Sequence, residues 1–585
     1  MNSLLQRLAR EGDISWLSYY FADFICSHDG VSIDSLLAHS AVLVSEANLA
    51  GNVCVELEYF AGRNLFPGSR NDDSRMPRGM PPDEWCATLE TSSCVGAGGQ
   101  STPLIIEDNR LYLNRYWYYE NHVAQKILAM LARNSPNDDS AMSALFTNQT
   151  DTDDDQANAV RAAASRAFSV ISGGPGSGKT STVIRILAIL LAQNPGYRIA
   201  LAAPTGKAAA RMMDSIRQRL ESLPIDSAIK AALPLEARTI HRLLGYRHQG
   251  FSYDAKRHLP VDCVVIDEAS MIDLKLMYQL LEALPDYAQL ILLGDRDQLA
   301  SVAAGNVLGD ITGHGHRVDP AAPAIAAATS LLRSSYRFGH DSAIGELAQQ
   351  VRLGEAASAV DLLRAGRPGL RWFADVQPVD GSEQVHADAM AWLSDAYQPI
   401  FSSETVAQAL DVYERIRLLC ATNRGPFGVD SLNAKLSALL LARNQRPQAE
   451  LFAGLPIMIT RNFQELGLFN GDVGMLWSFE SELRACFRGI DGAIRDIAIN
   501  RLPEFRPAWA STVHKSQGSE FDSVLLLLPA DTQAEVLTRE LVYTGITRAR
   551  REFLLQAPAT VLTQAISRLT RRHSGLASKL GWPEG

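Results

Sequence analysis

The segment Gly173-Gly-Pro-Gly-Ser-Gly-Lys-Thr180 decides the fold of this chain. It matches the pattern G-x-x-x-x-G-K-[ST] in full, directly after the apolar run 168–171 and directly before the helical run 182–191. Glycines let backbone N–H groups surround a phosphate without Cβ clashes, and the N-terminus of the next helix adds positive potential. The pattern predicts a site for ATP and Mg²⁺; its alternative is a glycine-rich turn that binds nothing. The predicted nucleotide-binding residues are Gly173, Gly174, Pro175, Gly176, Ser177, Gly178, Lys179, Thr180 and Ser181.

Within this loop two side chains have distinct predicted roles. Lys179 is expected to reach the β and γ phosphates, and Thr180 is expected to ligate Mg²⁺. Asp267 and Glu268 follow the apolar run 264–266, where Asp267 is expected to hold the Mg²⁺ shell and Glu268 to polarise the attacking water. The alternative for an Asp-Glu pair after a strand is solvated turn charge.

Short apolar runs alternate with helical patterns on both sides of the loop. They occupy 168–171, 199–203, 263–266 and 290–293, and a second set occupies 417–420, 524–528 and 553–555. This alternation predicts parallel sheets with crossover helices, whose functional loops gather at the carboxyl ends of the strands. Gln298 follows the run 290–293 and is predicted to sense the γ-phosphate, although most loop glutamines have no such role. The expected fold class is α/β with two tandem lobes.

Composition sets the remaining limits. The 585 residues are 46% hydrophobic and 21% charged, which is typical of a multi-domain globular protein, and the apolar runs are shorter than the ~18 residues of a membrane span. The start of the chain contains no secretory signal pattern, so a cytoplasmic location is expected. The seven cysteines are scattered and are predicted to be core thiols. A net charge of -10 still permits a local groove for nucleic acid.

Composition shifts divide the chain into domains. Residues 1–133 precede an acidic linker, 134–155, that is rich in Asn, Ser, Thr and Asp. The first motor domain is predicted at 156–328, and the second at 329–455 and 502–585. Between these two parts, 456–501 contains short strands and tight turns, which predict a small inserted β-barrel. The aromatic segment 111–119 predicts either a docking surface or an ordinary local core.

The series of motifs from about residue 156 to 555 resembles superfamily 1 helicases. The segments that carry this resemblance, besides the phosphate loop and the two carboxylates, are Gln156, 203–211, 238–245, 294–299, 335–338, 512–521 and 542–550. Segments outside the motor (103–117, 425–433 and 466–472) are similar to the RecD (alpha) subunits of bacterial RecBCD exonucleases, which belong to superfamily 1B. The resemblance implies two RecA-like P-loop lobes, a helical N-terminal domain and an SH3-like β insertion in the second lobe.

The resemblance also assigns residues to the nucleotide. It implies that Gln156 contacts adenine, that Gly518 and Glu520 line the nucleotide site, that Arg548 is the arginine finger and that Arg337 is a second γ-phosphate contact. Physically, the second lobe must supply cations that stabilise charge on the transferred phosphoryl group. A guanidinium can bind two of its oxygens at once, which an ammonium cannot.

Short polar side chains are the candidates for gripping DNA phosphates without reading sequence. They are Thr205, Lys207, Thr239, His241, Thr512 and His514. Their alternative is local helix capping or turn chemistry, since the runs after Thr205 and Thr239 are helical.

The family implies an ATP-dependent helicase that moves 5′ to 3′ on single-stranded and duplex-end DNA and serves double-strand-break processing for recombination. It further implies a heterotrimer with RecB-like and RecC-like subunits, in which the N-terminal domain docks on the RecC-like partner. We see no nuclease constellation here, so nuclease activity is expected in a partner. The C-terminal basic residues are expected to form a solvated helix face, with contact to DNA as the alternative; they are Arg568, Arg571, Arg572 and Lys579.

Three alternatives stay open from the sequence. The first is a stand-alone RecD-like or conjugative helicase, although no helix-hairpin-helix extension or relaxase domain is apparent. The second is an RNA helicase of the same superfamily. The third is a scaffold that keeps the P-loop fold without turnover, against which the intact Lys179, Asp267, Glu268, Gln298 and Arg548 argue.

Overall fold

A computed structural model describes residues 3–66, 76–133, 154–220, 226–247, 250–313, 324–333, 342–374, 385–480, 482–489, 492–531 and 534–583. The chain divides into two compact units. The first contains Met1–Arg296, Ala300–Ser334 and Arg571–Gly585, and the second contains Asp297–Leu299 and Ser335–Thr570. No helix within the described ranges combines the length and hydropathy that a bilayer crossing requires.

The N-terminal part of the first unit has its own core. The side chains of Ser3, Ser15 and Ser35 accept backbone hydrogen bonds at the starts of the first three helices, which defines where each begins. The helices are α1 (Leu4–Glu11), α2 (Trp16–Asp29), α3 (Leu36–Leu49), α4 (Leu57–Phe60), α5 (Pro82–Leu89) and α6 (Asn114–Leu131). The strands are β1 (Cys54–Glu56), β2 (Val95–Gly96), β3 (Leu104–Glu107) and β4 (Arg110–Leu113), in the sheet order β1-β4-β3-β2.

The same unit contains a parallel sheet of six strands in the order β12-β5-β11-β10-β6-β7. Its strands are β5 (Phe168–Gly173), β6 (Ile199–Ala203), β7 (Ala237–Thr239), β10 (Cys263–Ile266), β11 (Gln289–Gly294) and β12 (Thr329–Leu332), and a separate hairpin is formed by β8 (Tyr246–Arg247) and β9 (Gly250–Phe251). The helices are α7 (Asp154–Ser165), α8 (Lys179–Gln193), α9 (Gly206–Leu220), α10 (Ser227–Ala232), α11 (Ile240–Leu243), α12 (Leu274–Ala283), α13 (Val307–Ile311) and α14 (Ala324–Ala327). The four predicted strands of the first set are confirmed: three are buried throughout, and Ile199–Ala203 is buried over its last three residues. The predicted domain boundary at 328/329 differs from the structure, since β12 pairs with β5 of this sheet.

The second unit contains another parallel sheet, with five strands in the order β13-β22-β21-β14-β20. Its strands are β13 (Leu370–Phe373), β14 (Ile416–Cys420), β20 (Ala510–Thr512), β21 (Phe521–Leu527) and β22 (Ala549–Gln556). The helices are α15 (Ala343–Leu353), α16 (Ala356–Arg364), α17 (Ala387–Tyr397), α18 (Val406–Arg415), α19 (Val429–Arg443), α20 (Arg539–Ile546) and α21 (Ala559–Ser567). The two sheets confirm the predicted α/β fold with two tandem lobes.

An antiparallel sheet occupies the predicted insertion. Its strands are β15 (Pro456–Ile459), β16 (Val473–Phe479), β17 (Glu482–Arg488), β18 (Ile494–Ala498) and β19 (Phe505–Pro507), in the order β18-β17-β16-β15-β19. The sheet extends beyond the predicted bound at 501, because β19 pairs with β15. Short 3-10 helices cover Ala269–Met271, Gln398–Ser402, Gln464–Leu466, Ile499–Arg501 and His514–Ser516.

The C-terminal residues Arg571–Gly585 belong to the first unit, whereas all of 502–585 was predicted to lie in the second motor domain. The carboxylate of Glu120 is fully buried and accepts hydrogen bonds from the Ser574 hydroxyl and the Gly575 backbone, both at 2.9 Å. The indole of Trp582 donates to the Ile311 carbonyl at 3.2 Å. These contacts hold the tail, including the helix α22 (Leu576–Lys579), against α6 and α13. The predicted solvated helix face is wrong for two of its basic residues, because Arg572 donates to the Ala303 carbonyl at 2.7 Å and the half-buried Lys579 pairs with the Glu107 carboxylate.

The aromatic segment 111–119 is largely a local core. Tyr112 is fully buried and Trp117 nearly so, while the ring of Tyr119 stacks on Tyr278 with 4.7 Å between ring centroids. The segment therefore packs within the first unit, as the second of the two sequence interpretations proposed. All seven cysteines are free, and each is buried except the half-buried Cys86, as predicted.

Candidate functional site

The phosphate loop connects the buried strand β5 to helix α8. Gly176 and Gly178 have φ angles of 79° and 86°, which side chains rarely adopt, so these positions require glycine. At Gly178 an added Cβ would lie 2.4 Å from the Gln156 amide nitrogen. The loop backbone can therefore approach a ligand closely only because these residues lack side chains.

Lys179 begins helix α8 and turns back over the loop. Its ammonium donates hydrogen bonds to the carbonyls of Gly173 and Gly174, the second at 3.1 Å. The Ser177 hydroxyl is buried without a hydrogen-bond partner within the described ranges, and Thr180, three residues later, is half-buried. A buried donor without a partner costs free energy, so a phosphate oxygen at this loop would relieve that cost.

Gln156 lies beside the phosphate loop. Its amide donates to the Ser177 carbonyl at 3.3 Å, and its carbonyl accepts from the Arg185 guanidinium at 3.1 Å. Arg185, on helix α8, was not predicted from the sequence. Arg185 orients the side-chain amide of Gln156, because a guanidinium can donate only to the carbonyl oxygen of that amide. The NH₂ group of Gln156 therefore points away from Arg185.

Asp267 and Glu268 follow strand β10 at the carboxyl edge of the sheet, as predicted. Burial raises the pKa of Asp267, and the charge of Glu268 raises it further, while Lys179 and Arg211 oppose this shift. The Asp267 carboxylate accepts the Glu268 backbone N–H at 2.8 Å. Glu268 itself has a φ of 54°, a left-handed conformation that is uncommon for residues other than glycine. Such strain is typical of functional sites.

A buried carboxylate with a raised pKa fits a site that receives a cation, because a metal ion would restore its ionised form. No cluster of three or more His, Cys, Asp or Glu side chains could hold a metal within the part of the chain that the structure describes. Mg²⁺ is usually shared between one or two protein oxygens and substrate phosphates. Thr180 and Asp267 would hold it here.

Gln298 belongs to the segment Asp297–Leu299, which lies in the second unit although β11 lies in the first. The next residue, Leu299, is held through its backbone. Its N–H donates to the Thr544 hydroxyl at 3.0 Å, and its carbonyl accepts from the Gln517 side-chain amide at 2.6 Å. Gln517 and Thr544 were not predicted as functional residues, although they lie in the segments 512–521 and 542–550 that carry the helicase resemblance. They position the backbone next to Gln298.

Arg548 is buried at 2% exposure in the second unit. Its guanidinium donates to the carbonyls of Thr544 and Ser519, both at 3.1 Å. Gly518, with a φ of 68°, lies next to that anchor, and the Glu520 carboxylate pairs with Arg550 at 3.1 Å. Arg337 lies outside the described residues.

The predicted DNA-contact residues divide between the two units. The hydroxyls of Thr205, Thr239 and Thr512 each accept a backbone N–H three residues later, at 3.2, 3.2 and 3.4 Å. The capping interpretation therefore applies to all three. A hydroxyl that accepts a hydrogen bond still carries its own proton, so each can also donate to a phosphate oxygen. Lys207 and His241 are exposed, and His514 is half-buried.

Comparison with protein families assigns three parts of the chain. Residues 10–112 match the N-terminal domain of the RecBCD enzyme subunit RecD, 156–304 match an AAA domain, and 507–555 match the C-terminal domain of UvrD-like helicases. With the phosphate loop and the carboxylates of the first unit, these matches define the class: an ATP-dependent DNA helicase built on P-loop lobes.

The relatives are close enough to show the family. The RecD subunit of the RecBCD enzyme from Mycobacterium tuberculosis is 36% identical over 99% of this chain and 97% of its own length. The RecD subunit from Haemophilus influenzae is 30% identical, with 99% of both chains covered. The ATP-dependent RecD2 DNA helicase from Deinococcus radiodurans is 28% identical over 95% of this chain and 70% of its own length. The chain belongs to the RecD family, which confirms the resemblance inferred from the motifs.

Proposed function

We propose that this chain is the 5′-to-3′ DNA-translocating motor of a RecBCD-type complex that processes duplex DNA ends for recombination in the cytoplasm. The main support is a complementary set of groups: Lys179 and Asp267 at the carboxyl edge of one parallel sheet, and a buried Arg548 beside another. A nucleoside triphosphate needs both kinds of group, because its phosphates bind cations while hydrolysis needs an oriented water.

In the first unit, the loop backbone and Lys179 bind the β and γ phosphates of ATP, and Gln156 contacts the adenine. Thr180 and Asp267 would hold Mg²⁺, which would supply charge neutralisation at the transferred phosphoryl group. Glu268 accepts a hydrogen bond from the attacking water and orients it for attack on the γ phosphorus. Glu268 follows the strand end in a left-handed backbone conformation.

In the second unit, Arg548 donates to the γ-phosphate oxygens as charge develops on them, with Arg337 as a second contact. The carbonyls of Ser519 and Thr544 limit the orientations that the guanidinium can adopt. Gln298 senses the γ-phosphate. Gln517 and Thr544 bind the backbone of Leu299 and so link the Gln298 loop to the segments 512–521 and 542–550, which also contain Ser519 and Arg548. Gly518 and Glu520 line the nucleotide-binding site.

Single-stranded DNA is gripped by Thr205, Lys207, Thr239 and His241 in the first unit and by Thr512 and His514 in the second. The three capping hydroxyls are held in place by their backbone bonds, so they lose little entropy when they donate to a phosphate. None of these groups reads base edges, which suits a motor that must move along any sequence.

The test of this function is strand polarity. On partial duplexes with a 5′ or a 3′ single-stranded overhang, we expect ATP-dependent unwinding only from the 5′ overhang. ATP hydrolysis should be stimulated by single-stranded DNA and much less by RNA of the same sequence. Unwinding from the 3′ overhang would contradict the proposed direction, and equal stimulation by RNA would favour the RNA-helicase alternative.

We further propose that the RecC-like subunit binds the N-terminal domain through helix α2. Trp16, Leu17, Tyr20 and Phe24 are 42%, 64%, 61% and 65% exposed and share one face of the helix. Exposed aromatic residues in a contiguous group are typical of protein–protein interfaces. This surface, rather than the segment 111–119, then forms the docking site.

Replacement of Tyr20 and Phe24 together by Ser should reduce recovery of the complex at least tenfold when tagged subunits are co-purified. ATP hydrolysis by the isolated chain should be unchanged, because α2 contains none of the proposed nucleotide or DNA residues. Tyr287→Ser, at a similarly exposed aromatic residue of the first unit, is the matched control. Full recovery with the double variant would contradict this docking site. A wild-type chain that unwinds DNA as a monomer and binds no partner would favour the stand-alone alternative.

A further inference from the structure

Strand β14 carries a buried arginine that has no carboxylate partner. Arg417 is 4% exposed, and it forms no salt bridge with any carboxylate that the structure describes. Its Nε also has no hydrogen-bond partner among those residues. A guanidinium stays charged, and its transfer from water into a protein core costs free energy that an apolar side chain of similar volume would not cost. Stability of the core alone therefore does not account for an arginine at this position.

Two aromatic rings and a carbonyl group take the place of an anion. The Cζ atom of Arg417 lies 4.1 Å from the centroid of the Tyr413 ring and 4.7 Å from that of the Phe521 ring. The face of an aromatic ring attracts a cation, most strongly where water is excluded. The guanidinium also donates to the Tyr413 hydroxyl and, at 3.4 Å, to the Ala508 carbonyl. Burial raises the pKa of Tyr413, so its hydroxyl keeps its proton and donates to the same carbonyl at 2.5 Å.

Phe521 is the link between this cluster and Arg548. The Phe521 backbone N–H donates to the Arg548 carbonyl at 2.8 Å, and the Ser519 carbonyl accepts from the Arg548 guanidinium at 3.1 Å. The pairing of β21 with β22 shifts register between Phe521 and Ser523, and such an irregularity interrupts the ladder of hydrogen bonds between two strands. The start of β21 therefore depends on side-chain contacts for its position, and Arg417 supplies one of them through the Phe521 ring.

We propose that Arg417 is a positioning residue for ATP hydrolysis: it fixes the Phe521 ring and, through it, the backbone of 519–521 that holds the Arg548 guanidinium. This inference rests on the proposed role of Arg548 as the arginine finger. Arg417 acts through these contacts and not on the nucleotide, since its guanidinium is buried in the core of the second unit. An arginine finger must reach the γ-phosphate in one geometry, and a displacement of about 1 Å can lower a rate by on the order of 10²-fold.

Arg417→Met tests this role, because methionine is also long and unbranched but carries no charge. In single-turnover hydrolysis by the full chain with saturating oligo(dT), we expect the rate to fall about tenfold and the affinity for ATP to change by less than about twofold. Arg417→Lys keeps the charge without the planar group, so its rate should also fall. Tyr397→Phe is the matched control, because the Tyr397 hydroxyl binds the Ile416 and Trp509 carbonyls at 3.5 and 3.4 Å in the same core. Its loss should lower stability without changing turnover.

A double-mutant cycle separates positioning from a general loosening of the core. In the Arg548→Ala background, Arg417→Met should lower the rate by less than about twofold, because the side chain that it positions is absent. An unchanged rate in a folded Arg417→Met protein, or an equally large loss in the Arg548→Ala background, would overturn the inference. Phe521→Leu removes the ring but keeps Arg417 and should reproduce the Arg417→Met result. It carries the test if thermal unfolding shows that Arg417→Met does not fold. Wild-type turnover by Arg548→Ala would instead overturn the arginine-finger role on which the inference rests.

Discussion

Lys179→Gln should lower DNA-stimulated ATP hydrolysis by about 10²-fold or more, since the variant removes the one side-chain cation of the phosphate loop. The ammonium donates to the carbonyls of Gly173 and Gly174, and a glutamine amide can still donate to one of them. The loop should therefore keep its shape while the phosphates lose a full positive charge. Steady-state hydrolysis with saturating oligo(dT) measures the loss.

Folding is the control for this variant. Its thermal unfolding midpoint should lie within a few degrees of wild type, because Lys179 forms no ion pair with a described carboxylate in the structure. Lys126→Gln removes a surface lysine that pairs with Asp286 at 3.3 Å, and should leave both hydrolysis and stability nearly unchanged. Undiminished turnover in a folded Lys179→Gln protein would remove this lysine from the mechanism.

Arg548→Ala should show the largest catalytic effect in the second unit, a fall in turnover of about 10³-fold with a smaller change in ATP affinity. A guanidinium that acts on the transition state contributes to turnover, whereas one that binds the ground state contributes to affinity. Single-turnover hydrolysis and equilibrium binding of ATP separate the two contributions. Arg548→Lys should recover only a small part of the loss, because an ammonium cannot bind two oxygens at once.

Arg548 also has a structural role that the experiment must separate. The alanine variant removes the Arg548 donor from the Ser519 carbonyl, while the Thr544 carbonyl keeps the Thr547 hydroxyl at 3.1 Å; the loss should cost about 1–3 kcal/mol of stability. Chemical unfolding of the same proteins measures that cost. Arg551→Gln, at an exposed arginine three residues along the chain, controls for the loss of charge. A folded Arg548→Ala protein with wild-type turnover would exclude the arginine-finger role.

Much of the fold could be predicted because the relevant signals are local. Strands such as Phe168–Gly173 and Cys263–Ile266 are continuous apolar runs. The phosphate loop needs glycines because its backbone has positive φ angles at Gly176 and Gly178. The positions of Lys179, Asp267 and Glu268 could also be predicted, since each follows a strand that ends at the same sheet edge. Arg185, Gln517 and Thr544 could not be singled out, because their roles depend on contacts with residues 29, 218 and 245 positions away.

By itself, the sequence determined the class of chemistry, the family and the order of the lobes, because a phosphate loop and apolar strands depend on residues close together in the chain. Tertiary structure alone decided that residues 571–583 return to the first unit, since the buried Glu120 carboxylate needs donors that only the distant tail supplies. It also decided that the aromatic segment 111–119 is core while the α2 face is exposed. Burial and charge proximity are properties of the packed chain, and no local pattern encodes them.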